Sequence, residues 1–402
     1  MHSLHDLRAV KDRFGGFTFL DLTGYDLQAA HRHLGEHVRP QVHKILNQRL
    51  DRLNPVKCNL LMKQAQSCAE LLTDKLADLR WDSVIHGALQ EYVDCLTAWG
   101  DGAGLKNFGH PALAGHIPLC TLDLALFLQH DSTGCQTGMY RQADGSVILW
   151  HTEEDIEYED GSGFDQLRIA AFNVGGDNNS VTMHAFIYPD LLPGPAFGWR
   201  SDGYTQAVDT LHTREAPFQN DGMLANIATW ITLRLGPGYE RTRVIGGLAP
   251  FFDGYALNVV SVQGGKVQAE KFEFAENHNL PNVLGDKPGG FLFQVNIFSQ
   301  DDPAWAKEVQ DLPSADHRLY LKRINRTQKI MQNKDHTIGE VGDMHFFLDM
   351  MTTNTGSVWS YANIHVKAYF ILRQTAQGGE IWLGHGPTLR GDKYMVIQIP
   401  PC

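Results

Sequence analysis

From Tyr25 to about Gly100, apolar residues recur at spacings of three and four, the pattern of a helix with one buried face. Leu27, Ala30, His31, Leu34 and Val38 make the first run, and Val42, Ile45, Leu46 and Leu50 continue it beyond Pro40. Leu60, Leu61, Ala65, Cys68, Leu71, Leu72 and Leu76 form a second stretch, and Val84 to Trp99 a third. The first 25 residues hold one apolar run, Phe17 to Leu22, and read as a leader. A connector rich in Gly and Pro, Gly100 to Pro118, leads to a short apolar helix over Leu122 to Leu128.

After Cys135 the period shortens. Cys135 to Arg141 and Ser146 to Thr152 read as two strands flanking Gln142-Ala143-Asp144-Gly145, where Gly145 can take the positive φ of a tight hairpin. Further strands are expected at Leu167–Val174, Val181–Tyr188, Tyr204–Leu211, Leu257–Gln263, Lys266–Phe274 and Phe291–Phe298, with Gly264-Gly265 as a two-residue turn. Met223–Leu235 and Asp316–Met331 read as helices among them, and Ile364–Leu372 and Glu380–Gly384 return to strand. Helices placed among antiparallel strands predict an α+β layered architecture. No internal repeat or low-complexity segment is present.

Length and charge narrow the function classes. The 402 residues allow two or three domains or one large one. A net charge of −12 argues against a nucleic-acid or anionic-membrane partner. The most apolar long window, Pro111 to Gln129, contains His116 and Asp123 and is too broken to span a bilayer. The chain opens without a basic region and apolar core, so no secretory signal is expected. The six cysteines make no C-x-x-C pair and read as free thiols, which suits a cytoplasmic protein.

Candidate chemistry concentrates at Asp131 to Ile156. The hairpin lays a thiol, Cys135, at one strand start, and the carboxylates of Glu153, Glu154 and Asp155 at the adjacent strand end. Gly134-Cys135, then Asp144-Gly145, then His151-Thr152-Glu153-Glu154-Asp155 resembles the isopenicillin-N acyltransferase family of N-terminal-nucleophile (Ntn) hydrolases, with bile-salt hydrolases as more distant cousins. Later fragments follow in the same order. Phe197 to Gly203 resembles the family's Gly-x-Asn-x-x-Gly turn, with Arg200 where asparagine is common. Phe293 to Phe298 is similar to its Thr-Asn-His-Phe segment, and Ser314 to Arg318 to its Ser-x-x-x-Arg. Gly384-His385-Gly386-Pro387 resembles its closing turn.

The resemblance implies a four-layer αββα sandwich over residues 135–402, preceded by a mainly helical segment, residues 1–134. It implies self-cleavage between Gly134 and Cys135 into two chains that stay associated. Cys135 would then be nucleophile and, through its own α-amino group, general base. Asn296 would supply an oxyanion-hole amide, Glu154 or Asp155 would hold the α-ammonium, and Ser314 and Arg318 would support the site. The implied reaction is hydrolysis of a small N-acyl amide through a Cys135 thioester, or acyl transfer to another amine, with acyl-coenzyme A as an alternative donor. It needs neither cofactor nor metal.

Three other readings stand beside this one. His33-Leu34-Gly35-Glu36-His37 spells H-x-x-E-H, the inverted zincin motif of a zinc-dependent hydrolase. An uncleaved Cys135 could work with His151 or His184 as a papain-type pair, although such enzymes place the thiol at a helix N-terminus. A non-catalytic protein of the same fold is the third.

Overall fold

The computed structural model describes residues 17–78, 80–113, 121–128, 134–156, 167–175, 181–211, 222–298, 314–332, 343–352, 364–385 and 394–400. The chain is a mixed α+β protein with two sheets and helices against them. Three long helices come first: α1 (Leu27–Arg52), α2 (Pro55–Ala77) and α3 (Ser83–Gly102). Asp26 caps α1 by accepting from the Ala29 N–H, and Asn54 caps α2 by accepting from Lys57, so orphan amides at both starts are satisfied. Pro40 sits inside α1 and does not end it. The short helix α4 spans Thr121–Leu128.

Phe17–Asp21 is not leader but a strand, β1, paired in parallel with β4 (Leu167–Asn173). It forms one edge of an eight-stranded sheet. β5 (Thr182–Ile187), β6 (Phe197–Arg200), β7 (Tyr204–Leu211), β8 (Phe251–Gln263), β9 (Lys266–Glu276) and β10 (His278–Val283) follow in that order, all antiparallel. The segment expected as a turn at Phe197–Gly203 is a strand for its first four residues; only Ser201 to Gly203 turn. Helices α5 (Ala225–Leu235) and α6 (Arg241–Leu248) lie between β7 and β8 in the chain.

The second sheet has six strands. β11 (Phe291–Val295), β2 (Gly134–Arg141), β3 (Val147–Ile156), β12 (Ile364–Thr375), β13 (Gly378–His385) and β14 (Tyr394–Ile399) are hydrogen-bonded in that order. Helices α7 (Ser314–Met331) and α8 (Met344–Thr352) complete the described elements.

Three apolar clusters show what each face meets. Leu34, Val38, Leu89 and Trp99 of the early helices share a core with Trp230 of α5 and with Phe172 and Leu257 of the eight-stranded sheet. Met139, Leu149 and Phe370 of the six-stranded sheet meet Ile169, Phe197 and Val260 of the eight-stranded one. Ile148, Trp150 and Tyr369 meet Ile330 of α7 and Phe347 of α8. Thus β3 is buried on both faces, odd positions toward the other sheet and even positions toward α7 and α8, as a strand's period of two requires. No helix among the described residues is long and apolar enough to cross a membrane.

Candidate active site

The hairpin of β2 and β3 fixes the site. At its tip Gly145 has φ +82°, and Asp144 accepts from the Ser146 N–H at 2.9 Å and from Ser146 Oγ at 2.5 Å. This turn sets a register that pairs Thr137 with His151 and Cys135 with Glu153. A slip of one residue would send each side chain to the opposite face. Cys135, Thr137, His151 and Glu153 therefore point between the sheets, and Gln136 and Glu154 toward α7.

The carboxylate beside the thiol is Glu153. Cys135 Sγ donates to Glu153 Oε2 at 3.5 Å, and Tyr188 Oη, just beyond β5, donates to the same oxygen. His151 Nε2 lies 2.7 Å from Glu153 Oε1, and His151 Nδ1 lies 2.7 Å from Thr137 Oγ1. Burial opposes charge on the His151 ring, and Glu153 together with Asp209 and Glu154 outweighs it, so the ring's pKa is raised. Asp209 of β7 comes next: burial raises its carboxyl to about 7, against the pull of His151 and Thr137. Asn258 Nδ2 donates to Asp209 Oδ2 at 2.9 Å. The result is a buried polar chain running from Asp209 through Thr137 and His151 to Glu153 and the thiol.

Glu154, expected at the nucleophile, instead faces the helical side. It accepts from Arg323 Nη1 of α7 at 2.9 Å, from Gln136 Nε2 at 2.9 Å and from Thr152 Oγ1 at 3.0 Å. The reason is strand alternation: neighbouring residues of β3 cannot share a face. Asp155 also lies in β3, and its side chain is outside the described residues, as are those of Ser314 and Arg318 in α7. Gly134 opens β2.

Asn296 is brought to Cys135 by the pairing of β11 with β2, which sets Val295 opposite Gln136. The strand ends there, short of the expected Phe298, and Asn296 occupies a bend closed by Ile297 N–H donating to the Val295 carbonyl at 2.7 Å. Asn296 Oδ1 accepts from the Cys135 N–H at 3.2 Å, and Asn296 Nδ2 donates to the Thr210 carbonyl at 2.8 Å. The bend is held by Gln294, whose Nε2 donates to the Val295 and Ile297 carbonyls at 2.7 and 2.6 Å. Lys271 Nζ in turn donates to Gln294 Oε1 at 3.1 Å and to Glu273 Oε1 at 2.7 Å. Gln294, Lys271, Tyr188 and Asp209 carry no local sequence signal; strands distant in the chain bring them together.

The remaining expectations are placed as follows. His33 Nδ1 and Glu36 Oε2 pair at 3.0 Å on an exposed face of α1, and the H-x-x-E-H residues form no convergent ligand group among the described residues. His184 stacks on Trp199 with ring centroids 4.9 Å apart, its pKa lowered to about 4 by burial, and lies outside the Cys135 cluster. The other described cysteines differ from Cys135 in setting: burial pushes Cys68 up to about 12, and raises Cys58 and Cys95 as well. Of the closing Gly384 to Pro387 segment, Gly386 and Pro387 fall outside the described residues.

Comparison with protein-family models and with curated proteins found no match for this chain.

Proposed function

We propose that this protein is a self-cleaving cysteine hydrolase of the N-terminal-nucleophile type, acting on small N-acyl amides. One observation carries the reading. The two reactive ends of Cys135 are held by different partners, the thiol by Glu153 and the backbone N–H by Asn296 Oδ1. A buried structural cysteine has no need of a carboxylate beside its sulfur.

In self-cleavage, Glu153 takes the thiol proton and Sγ attacks the Gly134 carbonyl carbon. The Gly134–Cys135 C–N bond breaks, the departing nitrogen gains the proton to become an amine, and Gly134 is left as a thioester on Sγ. Water then hydrolyses the thioester, leaving a carboxyl terminus at Gly134 and a free thiol and α-amine at Cys135. In turnover, that amine takes the thiol proton, the thiolate attacks the substrate carbonyl, and the leaving amine receives the proton. Asn296 Nδ2 retains a second hydrogen beyond the one given to Thr210, and it serves the oxyanion. Such a donor is worth ~3–4 kcal/mol. Water resolves the thioester in hydrolysis, and a second amine in acyl transfer.

The four-layer αββα sandwich belongs to this reading. It is supported by the three apolar clusters, one between the sheets and one on each outer face. Retention of the 1–134 fragment is supported by β1, which is hydrogen-bonded into the eight-stranded sheet, and by the core that α1 to α4 share with that sheet. The buried free thiols suit a cytoplasmic setting.

The test is a panel of N-acyl amines and acyl-coenzyme A thioesters, read by amine release and by peptide mapping for an acyl adduct on Cys135. Amine release with an acylated Cys135 is expected. Transfer from coenzyme A without amide hydrolysis would reassign the protein as an acyltransferase. No adduct with any substrate would return it to a non-catalytic role.

A further inference from the structure

Cys135, His151 and Glu153 each offer a ligand atom, and the three atoms lie within 4.8 Å of one another, all buried. This is the one convergent group of metal-binding side chains among the described residues. We propose that Cys135 Sγ, His151 Nε2 and a Glu153 carboxylate oxygen form a binding site for a zinc-class divalent cation, and that the bound ion blocks the nucleophile. The binding site stands on the geometry alone; the block rests on the function proposed above.

Four features support the site. The first is spacing. A tetrahedral zinc with bonds of ~2.0 Å to nitrogen and oxygen and ~2.3 Å to sulfur separates its ligand atoms by roughly 3.3–3.6 Å. The thiol lies 3.5 Å from Glu153 Oε2 and the imidazole 2.7 Å from Glu153 Oε1. With one carboxylate oxygen as ligand all three ligand atoms lie within 4.8 Å, so small shifts reach that spacing. The second is ring orientation. His151 Nδ1 lies 2.7 Å from Thr137 Oγ1; in the tautomer that donates Nδ1–H there, the ring's lone pair sits on Nε2 and faces the cluster. Such a partner on the far nitrogen is the usual companion of a metal-ligating histidine.

The third feature is charge. One thiolate and one carboxylate cancel the two charges of the ion, leaving a neutral buried assembly; the thiol proton and the proton that His151 Nε2 shares with Glu153 both leave to solvent on binding. The fourth is ligand type. Sulfur, nitrogen and oxygen together select a borderline-soft ion and disfavour magnesium and calcium, which take oxygen ligands. The bound thiolate cannot reach the Gly134 carbonyl or a substrate, and Glu153 can no longer accept its proton. Zinc therefore acts as a reversible brake on self-cleavage and on turnover.

Binding is measured on the full-length protein, apart from any activity. Cobalt(II) replaces zinc as the probe, because thiolate ligation gives a near-ultraviolet charge-transfer band that needs no variant to interpret. One cobalt per chain with that band is expected, displaced stoichiometrically by zinc and absent in Cys135→Ala. Thr137→Val, which removes the oxygen orienting His151, should weaken zinc binding about 10–100-fold in a dye competition. His151→Ala should weaken it further, with circular dichroism confirming that each variant is folded. Absence of stoichiometric binding, or cobalt binding without the band, would overturn the site. Zinc that binds but leaves self-cleavage unchanged or accelerates it would overturn the brake. A protein that binds zinc through Cys135 yet never cleaves itself would keep the site and refute the function.

Discussion

Glu153 and Glu154 are adjacent in sequence and opposite in role, so isosteric substitution of each separates chemistry from stability. Glu153→Gln keeps the shape and an acceptor oxygen for Tyr188, yet removes the charge to which the proposed self-cleavage assigns the thiol proton. Loss of a positioned base slows its step by about 10²–10⁴-fold, so self-cleavage should slow on that scale. Glu154→Gln touches no reacting atom. It leaves the Arg323 guanidinium without its carboxylate in a place where both side chains are inaccessible to solvent. Breaking one side of such a buried pair costs about 3–5 kcal/mol. The assay combines two measurements. Intact mass spectrometry follows the uncleaved fraction with time after synthesis. Urea unfolding, run in a Cys135→Ala background so that every chain stays whole, gives the stability. Glu153→Gln should be slow to cleave and less destabilised than Glu154→Gln, because its buried partner His151 can shed its proton whereas Arg323 cannot; Glu154→Gln should be unstable but competent when folded. Normal cleavage in Glu153→Gln, or a stable and uncleaved Glu154→Gln, would refute the assignment of the two carboxylates.

Further outcomes follow from other contacts. Asn296→Ala should lower turnover by about a hundredfold or more, measured as kcat on an N-acyl amine, because the proposed oxyanion donor is lost. Gln294→Leu should lower kcat in the same direction by a smaller factor and cost about 1–3 kcal/mol, since the Val295 and Ile297 carbonyls lose their donor. An added Cβ at Gly138 would lie 2.0 Å from the Trp150 ring, so Gly138→Ala should destabilise by about 1–3 kcal/mol or more in urea unfolding. Burial lowers both His31 and His184 to about 4, below their ordinary 6.5, so the unfolded chain binds protons that the folded chain refuses. Their stabilising contribution is complete above pH ~6.5 and is lost as pH falls toward 4, at roughly 3 kcal/mol each. An equally steep pH dependence of urea unfolding in the His31→Gln, His184→Gln double variant would contradict this.

The hairpin that organises the site was legible in the sequence because its information is local. Asp144-Gly145 names the turn, and reflecting Cys135 through Asp144 lands on Glu153, the observed partner. The expectation of Glu154 or Asp155 came from matching a motif rather than from following the register. Alternation along β3 then decides which carboxylates can share the thiol's face. The helical runs of α1 to α3 were equally local, each with its own period of three and four.

What the sequence hid depends on distant pairing. Phe17–Asp21 looks like an isolated apolar run because its partner, β4, begins at Leu167. β10 holds His278, Asn279 and Pro281, residues typical of turns, and is a strand only because an edge position tolerates a missing N–H. The contact of Asn296 with Cys135 joins residues 161 positions apart in the chain through β11 and β2. Tyr188, Asp209 and Thr210 arrive from the other sheet altogether. A single sequence encodes such convergence only through the whole fold.

The central claim is that the Gly134–Cys135 bond is broken by the Cys135 thiol. Intact mass spectrometry of the purified wild-type protein, with the N-terminal residue of the larger species identified, tests it most directly. The account predicts two associated chains, one ending at Gly134 and one beginning at Cys135, and a single chain in Cys135→Ala. An undivided wild-type chain that hydrolyses amides would contradict it.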